Sequence, residues 1–405
     1  MKTRLLWTLT VIVLCAVVVA ALATGCARKP PATQAEKEPY RIGAMFAVTG
    51  PASPLGEPER NTAQLLERQI NAAGGIDGHP LEILIEDTAG EDTRAVMAAN
   101  KFIDQNVLAV VGPSRSSTTL AILETLQKAE VPLISCAASV KITQPAADRK
   151  WVFKTPQSDA HAIDKLIEYM QANDMKRVGF IFVANAFGES GREQAEALLP
   201  EADIEIVAKE TFGQEDTVMT TQVTNLAKAK PDAIICWGTN PGPARIAAAM
   251  YDMKVDIPLL QSHGVANRSF IELAGAGGDG VVLPAGRLIV AEQIPDADPQ
   301  KQTLLEYAKA YEDEFGKPAD TFGGHAWDAI QLVVKALREG SPGAAGSAGS
   351  DVEALRAQIR DSIEQTTGFV GIGGVFDFSP QDHNGLTRDA FVMVRIEDGE
   401  WTLIQ

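Results

Sequence analysis

The stretch VVGPSRSSTTLAILETL, Val110 to Leu126, decides how the rest of the chain is read. A β-branched run ends at Gly112-Pro113, three serines and two threonines follow, and apolar residues then recur at helical spacing. This predicts a buried strand handed directly to a helix. One hydroxyl at the N-cap would satisfy the orphan amide groups of that helix. The surplus needs another reason, and the end of a strand in an open parallel sheet is where such sheets bind ligands.

The same unit recurs on either side. RIGAMFAVTG leads to the helical NTAQLLERQINAAGG, PLEILIED to TRAVMAANKFIDQ, and VLAVVG to TTLAILETLQKA, with VPLISCAAS next. A second series follows: RVGFIFV with GESGREQAEALL, DAIICWG with ARIAAAMYDM, and IPLLQS with RSFIELAG. Such alternation predicts an α/β fold of two doubly wound parallel-sheet lobes. After GDGVVLPAG two more helical stretches and the strands GVFDFS and AFVMVRIEDGEWTLI remain. The economical path takes the chain back to the first lobe and then again to the second. The expected bounds are 40–154 with 285–368 for lobe 1, and 155–284 with 369–405 for lobe 2. The three crossings would serve as a hinge near Lys154-Thr155, Val281 to Ala285 and Gly368 to Gly371. Ser341 to Ser350 (SPGAAGSAGS) reads as a flexible surface loop.

Residues 1–26 read as an export signal: Lys2 and Arg4 precede a run without charge from Leu5 to Ala23, and Ala23-Thr24-Gly25-Cys26 looks like a bacterial lipobox. Gly25 and Cys26 match that pattern, while Ala23 stands where Leu is usual. Cys26 is the expected lipidation site; the other reading is an uncleaved membrane anchor. Either places the rest, a periplasmic or cell-surface protein, outside the cytoplasm. Residues 27–39 are polar and proline-rich, as a tether is.

About 365 residues remain, more than one core usually organises. With 36 Lys and Arg against 53 Asp and Glu, a formal charge of −17 argues against a nucleic-acid partner. Cys136 and Cys236 sit in separate apolar runs and read as buried free thiols. No Cys/His spacing suggests a metal, and no cofactor is expected. A hydrolase would show a G-x-S-x-G elbow, which the FGESGRE turn lacks, so an enzyme is not expected.

Several motifs in order, GAMFAVTGPASPLGEP, INAAGGIDGHPLEILIEDTAGEDTRAVMAANKFI, VVGPSRSSTTLA, VPLISCAASVKIT, FKTPQSD and FGESGREQAEA, resemble the type I periplasmic binding proteins. The resemblance is to the branched-chain amino acid (Leu/Ile/Val) branch of ABC-transporter solute receptors. It implies a Venus-flytrap fold, a ligand α-carboxylate held by Ser116, Ala137 and Ser139, and partnership with an ABC permease and its ATPases. A monomer is expected. Four positions depart from the family's pattern. His263 stands where an acid would meet the ligand's ammonium, Phe187 and Thr239 where a tyrosine is usual, and Leu55 replaces the aromatic of the first loop. Asp159 is a candidate replacement for the missing acid. His263 is either a neutral hydrogen-bond partner or, protonated, a second anion contact. The ligand is therefore expected to be a small carboxylate. It is either a branched-chain or other apolar amino acid, or an aromatic, keto or fatty acid without the α-amino group. A ligand-sensing role in signalling stays open beside uptake.

Overall fold

The computed structural model describes residues 37–339 and 352–404; Cys26, the export signal and the loop Ser341 to Ser350 lie outside them. The first sheet consists of β1 (Tyr40–Phe46), β2 (Leu81–Asp87), β3 (Val110–Val111), β4 (Leu133–Ser135) and β5 (Val152–Lys154), in the order β2-β1-β3-β4-β5. Every pair in it is parallel. The second contains β6 (Arg177–Val183), β7 (Glu205–Phe212), β8 (Ala233–Trp237), β9 (Leu259–Gln261) and β10 (Val282–Gly286). It is completed by β13 (Phe391–Glu397) and β14 (Glu400–Leu403), and its order is β14-β13-β10-β9-β8-β6-β7. AFVMVRIEDGEWTLI is thus not one strand but a hairpin, added antiparallel to an otherwise parallel sheet.

Helices cover both faces of each sheet, which is why the inner strands β3, β4, β8 and β9 are buried at every residue, while charged residues alternate into the edge strands β2 (LEILIED) and β7 (EIVAKETF). Lobe 1 carries α1 (Ser53–Ala72), α2 (Asp92–Asp104) and α3 (Ser116–Lys128). Lobe 2 carries α4 (Asp159–Ala172), α5 (Ala186–Glu201), α6 (Thr220–Lys228), α7 (Gly242–Asp252) and α8 (Arg268–Ala274). The chain then returns to lobe 1 as α9 (Lys301–Phe315), α10 (Thr321–Glu339) and α11 (Val352–Glu364). Buried hydroxyls fix this return: Thr62 on α1 meets Tyr307 on α9 at 2.7 Å, and Asn61 Nδ2 donates to the Tyr311 hydroxyl at 3.1 Å. Helix α1 begins earlier than its apolar spacing predicts, inside PASPLGEP. Pro54 falls where a missing N–H costs nothing, and Leu55 is carried onto the first turn.

The first passage between sheets follows Lys154 and the second follows Gly286. The third differs from the expected Gly368 to Gly371. Beyond that point Phe376, Phe378, Leu386 and Ala390 still pack in the core of lobe 1. There β11 (Phe369–Val370) and β12 (Val375–Phe376) form a small hairpin, and Phe378 meets Phe153 of β5 edge-on at 6.0 Å. His383 stacks on the same Phe153 ring at 4.5 Å. These aromatic contacts hold the segment against lobe 1 until Phe391 opens β13 in the other sheet.

Candidate functional site

Between the lobes lies a cleft of roughly 520 Å³, counting the part open to solvent. Its lobe 1 wall starts at Gly112, whose φ of +87° and contact with the Met45 carbonyl leave no room for a Cβ. The turn that follows distributes the crowded hydroxyls. Ser114 donates to buried Glu59 and accepts the Ala47 amide at 2.9 Å, while Thr118 and Thr119 both bond back to the Arg115 carbonyl, at 2.9 and 3.0 Å. Ser116 and Ser117 face the cleft at the start of α3, where helix geometry leaves amide groups without acceptors. Ser116 Oγ accepts the Ser139 amide at 3.3 Å and keeps its own proton free to donate.

Ala137 lines the same wall, with its amide on Ser135 Oγ at 3.1 Å. Ser139 lies behind it, without exposed surface, and its hydroxyl donates to Ser190 Oγ of lobe 2 at 3.0 Å. Further cross-lobe contacts join Lys141 to Glu193 at 2.8 Å and Thr321 Oγ1 to the Ala266 carbonyl at 3.1 Å. The lobes therefore stand closed.

The opposite wall presents Phe187, Thr239 and His263. Asn185 caps α5 through its Oδ1, accepting the amides of Phe187 and Gly188 at 3.0 and 3.1 Å, and so sets the Phe187 ring. Ser262 fixes the His263 turn by accepting the Gly264 amide at 3.2 Å and donating to the Gly238 carbonyl at 3.1 Å. Around the imidazole, Phe187, Trp237 and Phe391 stand edge-on at 5.6, 5.8 and 5.3 Å. Burial in this collar, with the Lys154 ammonium beyond it, pushes His263 down to about 3, which favours the neutral ring.

Asp159 sits behind His263 rather than in the cleft, wholly buried, its Oδ1 3.9 Å from His263 Nε2. Ser190 and Val140 face the carboxylate and favour its charged form, yet neither reaches hydrogen-bond geometry. Burial pushes this acid up to about 6. Lys154, also buried, donates to the carbonyls of Ala138 (2.8 Å) and Pro156 (3.3 Å); burial draws it down to about 8 against the pull of Asp159.

The lining also includes residues the sequence reading did not single out, among them Arg115, Phe322 and His325. Arg115 stands among the hydroxyls of the turn after Gly112, and its Nη1 donates to the Gly90 carbonyl at 2.8 Å. Phe322 and His325 come from the first turn of α10, capped by Asp320, which accepts the Phe322 and Gly323 amides at 3.0 and 3.1 Å. TFGGHAWD carried a hint in its paired glycines, since Gly324 packs on Ile372 with no room for a side chain. Leu55 closes the apolar side.

The family model described as periplasmic binding protein matches residues 39–400. The chain belongs to the periplasmic binding protein family. A Leu/Ile/Val-binding protein of Rhizobium johnstonii is 25% identical over 363 residues, 89% of this chain and 92% of the relative. A leucine-, isoleucine-, valine-, threonine- and alanine-binding protein of Pseudomonas aeruginosa is 25% identical over 357 residues, covering 86% and 91%. Among solved structures, an extracellular ligand-binding receptor from Rhodopseudomonas palustris HaA2 superposes with a TM-score of 0.82 at 27% identity, over 92% of this chain and 100% of that one. Periplasmic binding proteins of this type capture solutes for transporters outside the cytoplasm and are not enzymes. In this member the two buried free thiols, Cys136 and Cys236, are held far from ionisation by burial and supply no nucleophile.

Proposed function

We propose that this chain is the extracytoplasmic receptor of an ABC importer and captures a small carboxylate with a branched-chain or other apolar skeleton. Leucine, isoleucine and valine, for which both of these relatives are named, have such skeletons. One observation carries the reading: Ser116 and Ser117 face a closed cleft from the start of α3, opposite apolar surface from Leu55, Phe187 and Phe322. A carboxylate there would accept the Ser116 hydroxyl and the free amides of the helix start, while its hydrocarbon tail leaves water. Ala137 flanks the acid group, Thr239 and His263 meet the solute from lobe 2, and Ser139 and Asp159 support the walls from behind.

The lobes close as two bodies about the passages after Lys154, after Gly286 and before Phe391, and the closed form is what the permease and its ATPases would recognise. Cys26 carries the lipid that anchors a monomer to the membrane; a Cys26→Ser variant would then leave the membrane fraction. The ligand test is a thermal-melting panel of small carboxylates against their primary amides. Carboxylates are expected to raise Tm and the matching amides to do nothing; amides as effective as acids would end the reading.

A further inference from the structure

We infer that the cleft selects net-anionic carboxylates that carry no ammonium, with Arg115 as the charged residue that sets this preference. The inference rests on the carboxylate reading above and concerns the group beside the acid carbon. Of the sixteen residues lining the cleft, Arg115 alone carries a fixed charge and none is acidic. Glu59 beyond Ser114 and Asp159 beyond His263 stand behind the walls without exposed surface, and Asp320, which accepts the Phe322 and Gly323 amides, does not line the cleft. An ammonium moved from water into this space would meet hydroxyls, imidazoles and carbonyls but no carboxylate. A buried charge left without a counter-charge is costly.

An anion fares better at every point of the same wall. Ser116 leans toward the loop after β4, where it accepts the Ser139 amide. Arg115 reaches the opposite way, to the Gly90 carbonyl after β2. Since β1 and β3 lie between β2 and β4, the helix start and the guanidinium spread positive potential along the length of the cleft. Arg115 makes no ion pair among the described residues; Asp92 and Glu215, the acids that act on it, are both exposed. Lys154 and Asp159 offset each other behind the wall and add little net charge.

Independent support comes from the imidazoles. His263 is 7% exposed with both ring nitrogens unpaired, and His325 is 5% exposed with Nδ1 unpaired, yet both line the cleft. A neutral imidazole offers one donor and one acceptor, which suits a keto or hydroxyl oxygen next to the acid carbon and supplies no charge to hold an ammonium.

The matched probes are leucine, 4-methyl-2-oxopentanoate and 4-methylpentanoate, which share one skeleton and differ at the second carbon. Titration of the purified protein is expected to show the oxo acid binding at least about tenfold more tightly than leucine. Arg115→Gln should weaken the oxo acid more than leucine, and Arg115→Lys should retain most of the preference. Leucine binding as tightly as the oxo acid, or an unchanged preference in Arg115→Gln, overturns the inference and leaves the carboxylate reading standing. Failure of all three to bind a protein that still melts cooperatively overturns both.

Discussion

The Ser139 hydroxyl donates to the Ser190 hydroxyl at 3.0 Å, tying the loop after β4 in lobe 1 to helix α5 in lobe 2. A bond between neutral groups contributes about 0.5–1.5 kcal/mol net. Ser190→Ala should therefore loosen the closed form without touching the cleft lining. Stopped-flow release of bound ligand is expected to speed up about two- to tenfold, with the association rate nearly unchanged; unchanged release would mean the contact plays no part in closure.

On the proposed carboxylate reading, Ser116→Ala removes a donor aimed at the ligand acid. Hydrogen bonds to a charged acceptor contribute about 1.5–3 kcal/mol, so affinity should fall about ten- to hundredfold. The melting temperature of the ligand-free protein should move little, because Ser116 only accepts one long bond from Ser139. Calorimetric titration and a melting curve on the same sample read both quantities.

Glu59 is buried, and burial raises its carboxyl well above the usual range; Ser114 supplies its one bond while Oε1 has none. An acid raised in the folded state holds a proton that the unfolded chain gives up. Stability from this group is thus present below the unfolded pKa and lost as pH rises, by about 1.4 kcal/mol for each unit between the two values. Glu59→Gln keeps the shape and removes the titration. Denaturant melts should show variant and parent alike near pH 4 and the variant more stable at pH 8; a parent more stable at pH 8 would contradict a neutral Glu59.

Gly112→Ala places a side chain at a φ of +87° and against the Met45 carbonyl. The backbone cost alone is about 1–3 kcal/mol, and the clash adds to it. Urea unfolding should show a loss of at least about 2 kcal/mol, together with weaker ligand binding because the Ser116 turn starts there.

Two parallel sheets and the strand ends that carry the cleft were legible because each unit repeats β-branched runs, turn residues and helical spacing within a few dozen residues. That local grammar set Ser116 and the turn holding Ala137 at neighbouring strand ends, while Phe187, Thr239, His263 and Leu55, which line the same cleft, were expected only from the family resemblance. It could not reveal that Ser139 spends its hydroxyl on Ser190, or that Asp159 stops one layer short of the surface, since both depend on how closely the lobes meet. Phe322 and His325 were hidden because α10 returns to lobe 1 from far along the chain. The third passage was misplaced for a related reason: what delays it is the packing of Phe378 and His383 on Phe153, a contact between segments more than two hundred residues apart.

Phe391 opens β13 directly after the last passage and stands 5.3 Å from the His263 ring. The residue at which the backbone changes lobe is therefore also part of the collar around a cleft-lining imidazole. Both rings belong to lobe 2, β13 being paired with β10 in its sheet, so the point where the chain enters that lobe for good and the wall it offers to the cleft move as one piece.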